Sequence, residues 1–81
     1  MPLHPAFHAP TRLLRFSVPL AQRHVTAYLS ESAWQARHGR GHSDSSFIEI
    51  YLANQPMIHD AVVRKVNAGG RIPVVLKVAD L

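Results

Sequence analysis

The histidines are the side chains of this sequence whose spacing comes closest to that of a metal site. His4 and His8 are four residues apart, and so are His38 and His42. On a helix that spacing places two imidazoles on one face, as a zinc pair requires. Proline lies within the first pair and glycines lie within the second, so we expect loops rather than helices. We therefore predict no metal and no cofactor; convergence of the two loops on one metal is the alternative.

A second cluster, from His42 to Ser46, holds the residue types of a hydrolase triad. A triad also needs a carboxylate that orients the base and donors that stabilise an oxyanion, and proximity along the chain supplies neither. Ser46 has a simpler role, because it stands three residues before Glu49 in the pattern of a helix capping box. We therefore predict that the protein is not an enzyme.

Cations around an aromatic residue suggest that the chain binds nucleic acid. The formal net charge is +4, and the whole excess falls before Ser43, where five arginines stand against one glutamate. A sheet covered on one side only would expose cations for phosphates and a tyrosine for base stacking. The candidate contacts are Arg15, Tyr28, Arg37, Arg40 and Lys77. The alternative is an ordinary solvated sheet face, since RNA-binding sheets commonly use several aromatic residues.

A surplus of apolar residues suggests self-association. Between Ser46 and Asn67 the chain carries more apolar side chains than one small sheet can cover. The surplus residues are Ile48, Leu52, Met57 and Val63. Exposed apolar patches often mark interfaces, and a two-fold dimer is the commonest closed assembly. We predict a homodimer; coverage of these residues by a short helix and the N-terminal arm is the alternative.

Length and composition fit one small globular domain. The chain has 81 residues, of which 47% are hydrophobic and 17% are charged. No apolar run approaches the length that spans a membrane, about 18 residues. The chain has no cysteine, which in so small a domain favours the cytoplasm. Three prolines within residues 1–11 predict an irregular arm, which leaves residues 12–81 as the domain.

Alternating apolar residues predict three strands. The runs Arg12–Val18 and Arg23–Leu29, joined by a short connection that begins at Pro19, predict a β-hairpin. A third run, Arg71–Val78, predicts an edge strand, because Pro73 cannot donate to a ladder.

Capping residues and apolar spacing predict the helices. Ser30 is a suitable N-cap for a short helix over Glu31–Arg37. The long segment that follows has apolar residues at spacings of three and four. Pro56 interrupts this stripe and predicts either a kink or two helices, Ser46–Ala53 and Gln55–Ala68.

The order of these elements, β-β-α-α-β, predicts a two-layer α+β fold. Three strands with one apolar face form a largely antiparallel sheet, and the helices pack on that face. Several residues also stand at positions, relative to these elements, that match a known family. They are Arg15-Phe16, Ser30-Glu31-Ser32-Ala33, Phe47, Asn54, Ile58, Ala61, Lys65, Gly69, Val74-x-Leu76 and Ala79-Asp80-Leu81.

Over residues 12–81 this layout resembles the small bacterial domain-of-unknown-function family 1488. The resemblance implies an uncharacterised α+β domain and brings no catalytic residues with it. Pro56 departs from the pattern, since the long helix of that family usually runs unbroken.

Overall fold

A mixed four-stranded sheet forms one layer of the fold and the helices form the other. The computed structural model describes residues 5–39 and 46–81. Its elements are β1 (Ala6–His8), β2 (Leu13–Leu20), β3 (Arg23–Ser30), α1 (Glu31–His38), α2 (Phe47–Ala53), α3 (Gln55–Asn67), β4 (Val74–Leu76) and a 3₁₀ turn, Val78–Asp80. The sheet order is β1-β2-β3-β4, with β4 parallel to β3 and the other pairs antiparallel. The predicted α+β class is confirmed, but the sheet has four strands rather than three.

The predicted hairpin is present, with a tighter turn than expected. Ala21 and Gln22 alone connect β2 to β3, with φ of 52° and 67°, as a type I′ turn requires. Pro19 was predicted to end the strand, yet it lies in β2 opposite His24. The residues that flank a two-residue turn form a hydrogen-bonded pair, so the next pair is not hydrogen-bonded. The missing N–H of Pro19 therefore costs no bond to β3.

The fourth strand lies in the segment expected to be an irregular arm. Ala6–His8 pairs antiparallel with the start of β2. The ring of Phe7 meets Phe47 edge-on, with centroids 6.0 Å apart. An aromatic contact of this kind ties β1 to the helical layer.

The C-terminal strand is shorter than predicted. Only Val74–Leu76 pairs with β3, although the alternating run extends over Arg71–Val78. After Leu76 the chain turns, because the N–H of Lys77 donates to Asp80 Oδ2 at 2.8 Å. The alternation of apolar residues therefore extends beyond the three residues whose backbone pairs with β3.

The predicted helix starts are confirmed. Ser30 Oγ accepts from the N–H of Ala33 at 3.1 Å. At the start of α2, Ser46 Oγ accepts from the N–H of Glu49 at 3.2 Å, and Glu49 accepts in return from the N–H of Ser46 at 3.3 Å. These bonds satisfy donors that have no partner within the helix.

Pro56 divides the long segment into two helices, which is one of the two predicted outcomes. α2 ends at Ala53 and α3 begins at Gln55, with Pro56 in the first turn, where a missing N–H is tolerated. Asn54 lies between them but does not cap α3 with its side chain. Its Nδ2 donates instead to the carbonyl of Ile50 at 2.8 Å.

A single apolar core fills the space between the layers. The buried strand residues all point to one side of the sheet: Leu14, Phe16, Val18, Val25, Ala27, Leu29, Val74 and Leu76. The helices contribute Ala33, Trp34, Phe47, Tyr51, Ile58, Ala61 and Val62. Full burial of such a side chain is worth about 1.5–3 kcal/mol. The opposite side of the sheet is covered by no helix of the described residues.

Candidate functional site

A row of four side chains crosses the open side of the sheet. Ala6 is the partner of Arg15, Arg15 of Tyr28, and Tyr28 of Val75. Because residues in register on adjacent strands project to the same side, the four lie side by side. The neighbours of Arg15, Tyr28 and Val75 along their strands are buried in the core, and Phe7, next to Ala6, is partly buried against it. The alternation of the strands therefore fixes which side chains the open face presents.

Arg15 and Tyr28 occupy the middle of this row. They lie on β2 and β3, the two central strands, where the backbone is held by pairing on both sides. Arg15 is exposed and Tyr28 is half-buried. Pairing on both sides holds the backbone of Arg15 and Tyr28 in place. The two side chains therefore present a positive charge next to an aromatic ring on the open face.

Two shallow grooves lie on either side of the pair. The hairpin groove, of about 550 Å³, is lined by the pair together with Ser17, His24, Thr26, Ile72 and Pro73. The β1 groove, of about 480 Å³, is lined by the pair together with Ala6, His8, Thr11 and Leu13. Both volumes fall in the range of small-ligand sites. Arg15 and Tyr28 are thus accessible from two directions.

Negative charge is segregated away from the open face. None of the four strands contains an aspartate or a glutamate. The carboxylates of the described residues lie in the helices and in the 3₁₀ turn: Glu31, Glu49, Asp60 and Asp80. Glu31 pairs with Arg12, and Asp80 accepts from Lys65 Nζ at 2.6 Å. The field over the open face therefore favours an anionic ligand.

The predicted nucleic-acid contacts are only partly brought together. Arg15 and Tyr28 are direct partners, and Lys77 is exposed just beyond β4, two residues after Val75. Arg37 lies on α1, and its Nε donates to the main-chain carbonyl of Leu81 at 3.0 Å. Arg40 falls outside the described residues.

The predicted interface residues separate into two classes. Leu52 and Met57 expose 52% and 42% of their surface. Ile48 and Val63 are half-buried and pack against the core. The helical layer therefore exposes two large apolar side chains, one on α2 and one on α3.

One member of each predicted histidine pair, His4 or His42, lies outside the described residues. Their partners have other contacts: His8 Nδ1 is 2.8 Å from Thr11 Oγ1, and the ring of His38 lies 4.1 Å from that of Trp34. Within residues 5–39 and 46–81 no group of three metal-ligating side chains is found.

A polar contact beneath the helices was not foreseen from the sequence. Tyr51 OH lies 2.6 Å from His59 Nε2, and Gln55 Nε2 donates to the same hydroxyl at 3.4 Å. Burial raises the pKa of Tyr51, and the bond from Gln55 opposes that rise. Burial lowers the pKa of His59. A neutral imidazole that accepts from the tyrosine hydroxyl satisfies both groups.

The ring of His59 also stacks on Phe16, with interplanar angle 3° and centroids 5.9 Å apart. The contact therefore joins α2, α3 and β2 in the core. Spacing alone could not find it, because Tyr51 and His59 lie on separate helices whose relative angle depends on the break at Asn54.

In the described part of the chain, no helix has the length and apolar character that crossing a membrane requires. Comparisons with protein families, with curated proteins and with solved structures found no match to this chain.

Proposed function

We propose that the protein is a non-enzymatic binding module whose open sheet face binds single-stranded nucleic acid. The observation that carries the proposal is the pairing of Arg15 with Tyr28 at the centre of that face. The phenol ring offers a stacking surface for a base, and the adjacent guanidinium offers donors for a phosphate. Bases inside a duplex are stacked on one another, so a stacking site of this kind selects single strands.

The charge distribution supports the same ligand. The strands carry no carboxylate, whereas Arg15 and Lys77 are exposed on or beside the open face. An anion that approaches Arg15 meets attraction on a side of the sheet whose strands hold no carboxylate; the nearest acid to Lys77, Asp80, is paired with Lys65. The absence of cysteine from the sequence supports a reducing compartment, the cytoplasm, as the place of action. We also propose that the chain belongs to domain-of-unknown-function family 1488; this membership does not indicate which ligand binds.

Fluorescence anisotropy with a labelled single strand tests the proposal. A probe of about 12 nucleotides falls within the site sizes of single-strand-binding folds. At low salt we expect binding to the single strand and weaker binding to the matching duplex. Tyr28→Ala removes the stacking surface and should weaken binding by about 1–3 kcal/mol. Tyr28→Phe keeps the ring and should retain most of the affinity.

Two results would contradict the proposal. One is the absence of binding at low salt to both RNA and DNA single strands, where the electrostatic attraction is strongest. The other is equal affinity for the wild-type protein and Tyr28→Ala, which would show that the contact lies elsewhere.

Self-association is a second candidate, favoured by the exposure of Leu52 and Met57. A two-fold interface through the helical layer would bury both and leave the open sheet face free. Light scattering on the 9.0 kDa chain should then give about twice that mass, and the double variant Leu52→Lys with Met57→Lys should return it to the monomer value. A wild-type protein that stays at monomer mass at high micromolar concentration would exclude this interface.

A further inference from the structure

We infer that the pair Arg15 and Tyr28 divides the open face into two subsites that together hold a dinucleotide step. The inference rests on the proposed function and specifies its ligand. One base occupies the hairpin groove, the next base occupies the β1 groove, and the phosphate that joins their sugars lies at Arg15.

The position of the pair between the grooves is the first support. Both grooves are lined by Arg15 and Tyr28, but they share no other side chain of the open face. On β2 the β1 groove includes Leu13 and the hairpin groove includes Ser17. Four residues of a strand span about 13 Å. That distance is too long for one nucleobase and suits two successive bases with a linking anion between them.

The chemistry of the dividing residues is the second support. Arg15 is the one cation on the four strands that lines both grooves, so a ligand that fills both must pass its guanidinium. A phosphodiester presents oxygen acceptors to it at that point. The ring of Tyr28 borders both grooves and can contact a base in either of them.

The two grooves differ in polarity. This difference predicts which groove distinguishes one base of the nucleic acid from another. The hairpin groove contains the hydroxyls of Ser17 and Thr26 and the imidazole of His24, which can bond to the edge of a base. In the β1 groove Leu13 supplies apolar surface, and the imidazole of His8 is already bonded to Thr11. We therefore expect base preference at the nucleotide in the hairpin groove and tolerance at its neighbour.

Competition by short oligonucleotides tests the number of subsites with the wild-type protein. Unlabelled mono-, di-, tri- and tetranucleotides compete with the labelled single strand used above. A dinucleotide should compete at a concentration about tenfold lower than a mononucleotide, since it adds a second stacked base on the other side of the phosphate at Arg15. Each further nucleotide should add less. Equal competition by mono- and dinucleotides, or an even gain with every added nucleotide, would overturn the two-subsite arrangement.

Two variants test the assignment of the grooves. Thr26→Val removes a hydroxyl while it keeps the shape of the side chain and its preference for strands, and it should reduce the preference among the four bases at one position of the dinucleotide. Leu13→Ala should weaken all dinucleotides by a similar factor. Unchanged base preference in Thr26→Val, or altered preference in Leu13→Ala, would overturn the assignment. Failure of the long strand itself to bind would instead remove the proposed function, so the two failures are distinguishable.

Discussion

Arg15 and Tyr28 face each other across β2 and β3 on the side of the sheet opposite the core. The residue that follows Arg15, Phe16, projects to the other side and is 3% exposed. Two adjacent positions of one strand therefore have separate roles. One contributes to the stability of the fold, and the other is free to contact a ligand.

Because of this separation, alanine substitutions at Arg15 and at Phe16 should lower the free energy of unfolding by different amounts. Arg15→Ala should change the free energy of unfolding by less than about 1 kcal/mol, because a cross-strand pair on an open face contributes no more than that. Phe16→Ala should cost about 3–5 kcal/mol, since it leaves a cavity in the core. Urea denaturation of the two variants checks both values. A large loss of stability in Arg15→Ala would show that the open face is needed for folding.

The ion pair of Lys65 with Asp80 predicts a stabilising contact at the C-terminal end. Lys65 Nζ donates to Asp80 Oδ2 at 2.6 Å and to the carbonyl of Val75 at 2.8 Å, with both side chains about a quarter exposed. The contact ties α3 to β4 and to the 3₁₀ turn. Asp80→Asn should lower the free energy of unfolding by about 1–2 kcal/mol, as expected for a charged hydrogen bond that is partly shielded from water.

Asp60→Asn is the matched control, because Asp60 pairs with Arg64 at 3.0 Å on the exposed side of one helix. Its expected cost is below about 0.5 kcal/mol. Burial by itself would raise the pKa of Asp80, but the bonds from Lys65 and from the N–H of Lys77, with their charges, lower it below 3.8. The contribution of Asp80 is therefore full above that pH and is lost as pH falls through the lowered pKa. Equal costs for the two variants would contradict a role for this ion pair.

The contact between Tyr51 and His59 predicts a loss of stability in mild acid. Burial lowers the pKa of His59 below 6.5, so the unfolded chain takes up the proton before the folded chain does. The free energy of unfolding should therefore be highest above pH 6.5 and should fall as pH drops from there toward the lowered pKa.

Urea denaturation at pH values above and below that range measures this loss. His59→Gln should reduce it, because glutamine can still accept from Tyr51 but does not titrate. His24→Gln, at an exposed position of β3, is the control and should keep the wild-type profile. An undiminished acid loss in His59→Gln would assign the effect to another group.

Local signals in the sequence predicted the elements whose stabilising contacts are local. Ser30 and the pair Ser46 with Glu49 fix the starts of helices through bonds that span three residues, so spacing was sufficient. The hairpin was found from alternation, but its turn was not, because Ala21 and Gln22 do not carry the residue preferences of a type I′ turn.

The features that the sequence did not predict depend on contacts between distant segments. β1 pairs with β2 and is tied to the helical layer by the contact of Phe7 with Phe47, and β4 pairs over only three residues with β3, which is far from it along the chain. For the candidate site, alternation placed Arg15 and Tyr28 on one face of the sheet. The predicted short helix already included Arg37, but the bond from Arg37 Nε to the carbonyl of Leu81 could not be predicted, because the two residues are far apart along the chain.

The salt dependence of binding tests the central claim most directly. Each phosphate contact to a single strand contributes about −0.7 to the slope of log K against log salt concentration. The account predicts that Arg15→Ala makes the slope less steep by about 0.7, whereas Arg64→Ala, which removes the same charge from the helical layer, leaves it unchanged. Identical slopes for the wild-type protein and Arg15→Ala would contradict a phosphate contact at the centre of the open sheet face.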